Sequence, residues 1–335
     1  MNIEKRVSAF VELGLCLKNL PSEDKDNLYL KARNNNSWFT DQNIEEAIQG
    51  ISLFLDSETL TNWVNQYHLP QRPKIVGTIM AGNIPLVGFH DLLCILISGH
   101  QLMVKMSSQD SVLMEFIINK LTAINSGFKE RIQMVDQLKG MDAIIATGSD
   151  NTARYFEYYF GKYPNIIRKN RSSCAIISGS ESNAELGNLG QDIFSYFGLG
   201  CRNVSKLFVP TNYNFNAFFE SIEFCSHVKE HHKYNNNYDN NKSIYIVNGE
   251  KHLDNGFLLV TESPQSVSPI SVLFYEEYTN DIELKEKIAL AQAKIQCIVS
   301  KNGDYPNSFS FGEAQSPKID DYADHVDTMR FLCQL

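Results

Sequence analysis

Cys201 is the residue of this sequence best placed to do chemistry. It stands in Phe194-Ser-Tyr-Phe-Gly-Leu-Gly-Cys-Arg-Asn-Val-Ser-Lys-Leu-Phe-Val209, behind glycines 198 and 200 and ahead of Leu207-Phe-Val209, which reads as a buried strand. A thiolate attacks a carbonyl carbon and leaves again readily, so an acyl group can rest on it between two half-reactions. The other reading is a small buried hydrophobe, the usual place of a free cysteine. On this stretch alone the two stand level.

Three further stretches carry polar groups where a ligand could meet them. Asn83 lies in Gly82-Asn-Ile-Pro85, directly after a short apolar run. Its amide donates without charge, so with the Cys201 backbone N–H it could hold the oxyanion formed when a thiolate adds to a carbonyl. An ordinary asparagine turn before a helix-starting proline is the alternative. Lys105 ends a second β-type run, at the edge where parallel sheets bind ligands, and suits an anionic nucleotide unless it is a solvated lysine. Gly148 and Ser149, in Thr147-Gly-Ser-Asp150, end a strand and open a helix whose N–H groups can receive a phosphate. Alone this is weak, because Gly-Ser caps many helices and the G-x-G-x-x-G spacing is absent.

The elements needed to position these residues can be read from periodicity. Residues 1 to about 70 carry apolar residues at helical spacing, such as Val7, Phe10, Val11, Leu15, then Ile44, Ile48, Ile51, Leu55, and read as a helical cap. Asp41 lies near the start of the second run. Trp63 and Tyr67 read as packing anchors. After Leu69-Pro-Gln-Arg-Pro73 the pattern becomes strand (Lys74–Met80), loop, helix (Leu86–Ser98), strand (Gln101–Met106), a βαβ unit that implies a parallel sheet. A helix from Ser111, a weak strand at Gln133–Val135, a strand at Met141–Thr147 and a helix at Asn151–Tyr159 follow. Short strands at Ile166-Ile167 and Ala175–Ser178 flank the basic segment Arg168-Lys-Asn-Arg171. A helix then leads into the Cys201 turn. Beyond it we expect helix at Ala217–Lys229, a surface loop over the asparagine-rich His231–Lys242, strands at Ser243–Val247, Gly256–Val260, Ser271–Tyr275 and Cys297–Val299, and a helix at Ile282–Ala293.

Composition narrows the class. A chain of 335 residues, 43% hydrophobic and 21% charged, can bury a sizeable core in two domains. Its seven cysteines are scattered, with neither a C-x-x-C pair nor the spacing of a zinc site, so we expect free thiols, no metal and a cytoplasmic location. The longest apolar stretch, Ile84–Val104, is interrupted by His90, Asp91 and His100, so no membrane span is expected. A net charge of −9 without a basic cluster speaks against nucleic acid.

Gly82-Asn-Ile-Pro-Leu86, Val104-Lys105, Thr147-Gly-Ser149 and Gly198-Leu-Gly-Cys201, in this order and at these separations, resemble the aldehyde dehydrogenase superfamily. Ala81–Leu93 and Phe197–Ser205 resemble its bacterial fatty acyl-CoA reductase branch, the LuxC-type proteins. The resemblance covers roughly residues 74 to 330. It implies an α/β fold of two Rossmann-like domains with parallel sheets after an N-terminal helical segment. Expected boundaries are 1–172, helices plus cofactor-binding domain, and 173–335, catalytic domain with the nucleophile and a C-terminal return. It also implies that Cys201 is acylated, Asn83 is an oxyanion donor, Lys105 binds the adenosine ribose, and Gly148 with Ser149 meets the cofactor pyrophosphate. Phe311-Gly312 is similar to the late Phe-Gly of the superfamily.

Two departures sharpen the expectation. Where oxidising members have a Glu-Leu-Gly-Gly segment that supplies a water-activating base, this chain reads Arg168-Lys-Asn-Arg171. Hydrolysis of a thioester needs such a base, whereas exchange with coenzyme A or reduction by hydride does not. Three residues after Lys105, where NAD-preferring members often carry a carboxylate, stands Ser108, which tolerates a 2′-phosphate. The counterpart of the glutamate that contacts the nicotinamide ribose is Glu262 or Gln265. The expected activity is NADPH-dependent reduction of a long-chain acyl-CoA to aldehyde, with NADH as the alternative cofactor. The alternatives are an acyl phosphate or acyl carrier protein as donor, or a member that binds nucleotide or a partner without turnover. An acyl-transferring partner protein and a homo-oligomer complete the expected partners.

Overall fold

Capping and apolar spacing explain the first helices. The side chain of Asn2 accepts from Lys5 N–H and opens α1 (Ile3–Lys18), and α2 (Ser22–Asn35) follows without a side-chain cap. Thr40 caps α3 (Asp41–Phe54), and Asp56 accepts two N–H groups of α4 (Ser57–Val64). Phe10 and Leu13, Leu28 and Tyr29, Ile44 and Ile48, and Leu60 and Trp63 turn from these four helices into one core. Residues 1–335 are described by a computed structural model. They form two units, Met1–Asn170 with Lys318–Leu335, and Arg171–Pro317.

The first unit holds a parallel sheet of β1 (Ile75–Ile79), β2 (Gln101–Lys105), β3 (Ile132–Met134), β4 (Ala143–Thr147) and β5 (Asn165–Arg168), in the order β3-β2-β1-β4-β5. Helices α5 (Phe89–Ser98), α6 (Ser111–Ile124) and α7 (Asp150–Phe160) make the crossovers. Central β1 is paired on both sides, which is why Lys74–Met80 reads as a continuous apolar run. The chain winds outward from β1 to β3, then returns to place β4 on the other side. The carboxyl ends of β1, β2 and β4 therefore meet at the switch of winding, where open parallel sheets take their ligands.

Residues 318–335, expected with the second domain, pack with the first unit. α12 (Thr328–Cys333) and the segment before it are bound by side chains from the helices and the sheet. Trp63 Nε1 donates to Tyr322 Oη at 2.9 Å, His90 Nε2 to the Ile319 carbonyl at 2.8 Å and His100 Nε2 to the Leu332 carbonyl at 2.9 Å. These partners are 229 to 259 residues apart, so no local pattern announces them.

The second unit is built on seven strands in the order β12-β11-β6-β7-β10-β9-β8. They are β6 (Ser172–Ile176), β7 (Val204–Pro210), β8 (Leu253–Asp254), β9 (Leu259–Glu262), β10 (Val272–Tyr278), β11 (Ile295–Ser300) and β12 (Phe309–Ser310), parallel except for β8 against β9. Helices α8 (Asn183–Phe194), α9 (Asn216–Ser221), α10 (His232–Asn248) and α11 (Asp281–Ala291) connect them. α10 corrects the expected loop at 231–242 and strand at 243–247. Tyr234, Tyr238 and Tyr245 share its buried face, Ile244, Ile246 and Val247 are exposed, and Gly249 ends it with φ 67°. Burial of three tyrosines outweighs the poor helix propensity of asparagine and the β-type run Ile-Tyr-Ile-Val. No helix in the chain is long and apolar enough to cross a membrane.

Candidate active site

Cys201 sits in a turn that its own sequence closes. α8 opens on a Ser182–Glu185 capping box and runs to Phe194. The chain then takes left-handed φ at three successive residues, Tyr196 (51°), Phe197 (58°) and Gly198 (77°), before β7 begins at Val204. Only the third is a glycine, so the first two cost about 1 kcal/mol each. Contacts offset that strain: the Phe197 ring lies 4.4 Å from the His231 ring and 6.2 Å from Tyr234.

Asn203 closes the turn around the cysteine. Its backbone N–H donates to the Gly200 carbonyl at 3.1 Å, and the Gly200 N–H donates back to Asn203 Oδ1 at 2.7 Å. Its Nδ2 reaches the carbonyls of Asp192, Ile193 and Ser195 at 3.1, 3.4 and 2.8 Å, the acceptors left over at the end of α8. Cys201 lies between the two anchors, half-buried, and its carbonyl accepts from Ser173 Oγ at 3.1 Å.

The same turn is tied to Phe311-Gly312. The Asp192 carboxylate, fully buried in α8, accepts from Gly312 N–H at 2.7 Å and Ala314 N–H at 3.0 Å. Burial pushes this carboxyl up to about 6, against the pull of those N–H groups. Arg202 Nε donates to the Ala314 carbonyl, and the guanidinium lies 4.8 Å from the Phe309 ring centre. Nearby, Lys206 Nζ pairs with Glu276 at 2.6 Å and donates to the carbonyls of Ser263 and Gln265, while Ser205 Oγ donates to Ser266 O at 3.1 Å. β7 thus holds the loop that follows β9. Glu262 and Gln265 are both exposed there.

The remaining expected residues gather on one edge of the first unit. Asn83 follows β1, Lys105 ends β2 with Ser108 just beyond, and Gly148 with Ser149 follows β4. Lys105, Ser108 and Ser149 are exposed. Ser149 is the N-cap of α7, its hydroxyl accepting from Thr152 N–H at 3.3 Å. A Cβ at Gly148 would lie 2.9 Å from the Phe156 ring and 3.1 Å from Thr152, so packing of α7 on the strand explains this glycine without a ligand. Gly82 is needed for a closer approach: its Cβ would fall 2.5 Å from Ser107 Oγ. Asn35, at the end of α2, donates to the Ser108 carbonyl at 2.8 Å, so the helical cap supports the loop beyond Lys105.

Arg168, in the segment that departs from the oxidising pattern, is 6% exposed and turned inward. Its guanidinium donates to Asp91 at 2.7 Å and to Thr328 Oγ1 at 3.0 Å. Sequence reading passed over Asn203, Asp192 and Asp110, all of which hold the loops carrying the expected residues. Asn203 had a visible signal, an amide two residues after the cysteine. Asp110 had none, because its partner Leu86 lies 24 residues away.

The acyl-CoA reductase (LuxC) family model matches residues 17–219, more than half of the chain and including Asn83 and Cys201. The chain belongs to this family. The reductase is therefore an oxidoreductase, and its family and fold support aldehyde-forming reduction of an acyl group. A search of curated proteins gives no match. Among solved structures, aldehyde dehydrogenase 21 from Physcomitrella patens, in complex with succinate, is similar with a TM-score of 0.71 and 12% identity, over 99% of this chain and 85% of that one. An aldehyde dehydrogenase from Bacillus cereus in complex with NAD+ gives 0.64 and 14%, over 90% and 72%. An NADP-dependent enzyme from E. coli gives 0.66 and 12%, over 94% and 76%. At these identities the likeness is one of fold, the first sheet of the reductase being parallel and the second parallel except for β8.

Proposed function

We propose that the reductase converts an acyl-CoA to an aldehyde through an acyl thioester on Cys201, with NADPH as the reductant. The observation that carries this reading is the Gly200–Asn203 turn. Four side-chain hydrogen bonds of Asn203, with the strained residues 196 and 197 ahead of them, fix the backbone on both sides of one half-buried cysteine.

The steps follow from thiolate chemistry. Cys201 Sγ attacks the thioester carbon of acyl-CoA, its electron pair forms the new C–S bond, and negative charge moves to the carbonyl oxygen. Asn83 Nδ2 and the Cys201 N–H take the oxyanion roles. Collapse of this adduct breaks the bond to coenzyme A, which leaves as a thiolate and takes a proton from solvent. When bound, a reduced nicotinamide supplies the hydride for the acyl carbon. Cys201 is then released as thiolate with the aldehyde.

The dinucleotide fits the carboxyl edge of the first sheet by the chemistry of its donors. Exposed Lys105 suits the adenosine ribose, α7 presents N–H groups for the pyrophosphate, and neutral Ser108 places no carboxylate against a 2′-phosphate. Arg168 supports reduction over hydrolysis: a cation committed to Asp91 and Thr328 cannot deprotonate water.

The test is NADPH consumption with a long-chain acyl-CoA. Cys201→Ala is expected to lose at least about 10³-fold in kcat, as removal of a nucleophile does, while still binding nucleotide. Near-normal turnover by that variant would end the thioester mechanism.

A further inference from the structure

Asp110 occupies the N-cap of α6, where a carboxylate ordinarily accepts the first N–H groups of its own helix. It makes no such bond. Its Oδ2 instead accepts from the Leu86 N–H at 2.7 Å, across 24 residues, and its Oδ1 is buried without a hydrogen-bond partner. The residue is 2% exposed. Burial pushes the carboxyl up to about 8, opposed by the Leu86 N–H. A buried acid with one bond and one bare oxygen lowers stability, so a packing role does not explain it.

What the bond holds is the far end of the Asn83 loop. Leu86 is a non-glycine residue at φ 58°, a conformation it keeps only under constraint. The near end of the loop is held by the same turn, because Gly82 lies against Ser107 with a notional Cβ 3.2 Å from the Asp110 nitrogen. The Ser107–Asp110 turn, closed by Asp110 N–H donating to Ser107 O at 3.2 Å, thus grips residues 82 and 86 with Asn83 between them. Ser108 lies in that turn and Lys105 just ahead of it.

We propose that Asp110 is a positioning residue for Asn83, fixing the oxyanion loop and joining it to the turn after Lys105. This rests on the reading of Asn83 as an oxyanion donor. A misplacement of about 1 Å at such a donor can cost about 10²-fold, so Asp110 acts on kcat through geometry alone.

A double-mutant cycle on the full chain tests it, with kcat and KM for acyl-CoA reduction and the melting temperature read together. Asn83→Ala is expected to lower kcat about 10²-fold and Asp110→Ala about tenfold or more, with KM for acyl-CoA within about twofold. The double variant should fall no further than about threefold below Asn83→Ala, because the positioning has lost its object. Asp110→Asn keeps an acceptor oxygen for Leu86 N–H and should hold kcat within about threefold of the unmodified enzyme. It also serves where the alanine variant does not fold. Unchanged kcat in Asp110→Ala, fully multiplied losses in the double variant, or a loss in Asp110→Asn approaching about 10²-fold each overturns the role of Asp110. Unchanged kcat in Asn83→Ala overturns the oxyanion reading instead.

Discussion

The Cys201 turn and the Asn83 loop solve the same problem with different side chains. Each carries a residue proposed for the reaction, Cys201 or Asn83, a few positions from non-glycine residues in left-handed φ, and each has a buried polar side chain, Asn203 or Asp110, fastening its backbone. Asn203 is neutral, and its amide makes four hydrogen bonds at 2.7 to 3.4 Å. Asp110 is an acid with a single bond and an oxygen left bare. The amide's own four bonds carry no proton to titrate, whereas a half-satisfied acid ties its loop to a titration.

The largest expected effect falls on the amide. Asn203→Ala removes every side-chain bond that closes the turn, and we expect about 3 kcal/mol or more of lost stability with kcat down at least about 10²-fold. Urea unfolding and steady-state kinetics measure both. Asn203→Asp sharpens the comparison, since a carboxylate would face the carbonyls of Asp192, Ile193 and Ser195. A tolerated aspartate would contradict the assigned bonds.

The acid predicts a pH dependence. The folded-state value of Asp110 is raised from 3.8 to about 8, so the cost of burying it is smallest below about pH 4 and grows as pH rises to about 8, where the folded protein also loses the proton. Unfolding measured at pH 5, 7 and 9 should show wild-type protein losing a few kcal/mol that Asp110→Asn does not lose, with a slope of at most about 1.4 kcal/mol for each step of one in pH. Parallel curves for the two proteins would remove the titration from the Asn83 loop.

Much of this was legible in the sequence because it is local. The apolar runs that became β1, β2 and β4, the loops at their carboxyl ends, and the glycines before Cys201 each carry their signal within about ten residues. What could not be read depends on distance. The Asp110–Leu86 bond spans a helix and a strand, and the bonds from Trp63, His90 and His100 that draw residues 318–335 into the first unit span most of the chain. α10 is a different case. Tyr234, Tyr238 and Tyr245 recur at helical spacing, a signal outweighed in reading by the asparagines and the β-branched run beside them.

The smallest effect concerns the cofactor edge, where side chains are exposed and screening is strong. Ser108→Glu should weaken NADPH by about fivefold to tenfold and NADH much less, because the new carboxylate repels the 2′-phosphate. Lys105→Ala should weaken both cofactors alike. KM values for the two cofactors decide the matter, and equal losses in Ser108→Glu would place residue 108 away from the ribose.

Whether Cys201 carries the acyl group is read without intermediary from the intact mass of the protein after incubation with a long-chain acyl-CoA and no nucleotide. We expect one added acyl group, mapped to the peptide containing Cys201, absent in Cys201→Ala and discharged when NADPH is supplied. An unmodified mass, or an adduct on another cysteine that persists in Cys201→Ala, would rule out the acyl-Cys201 intermediate.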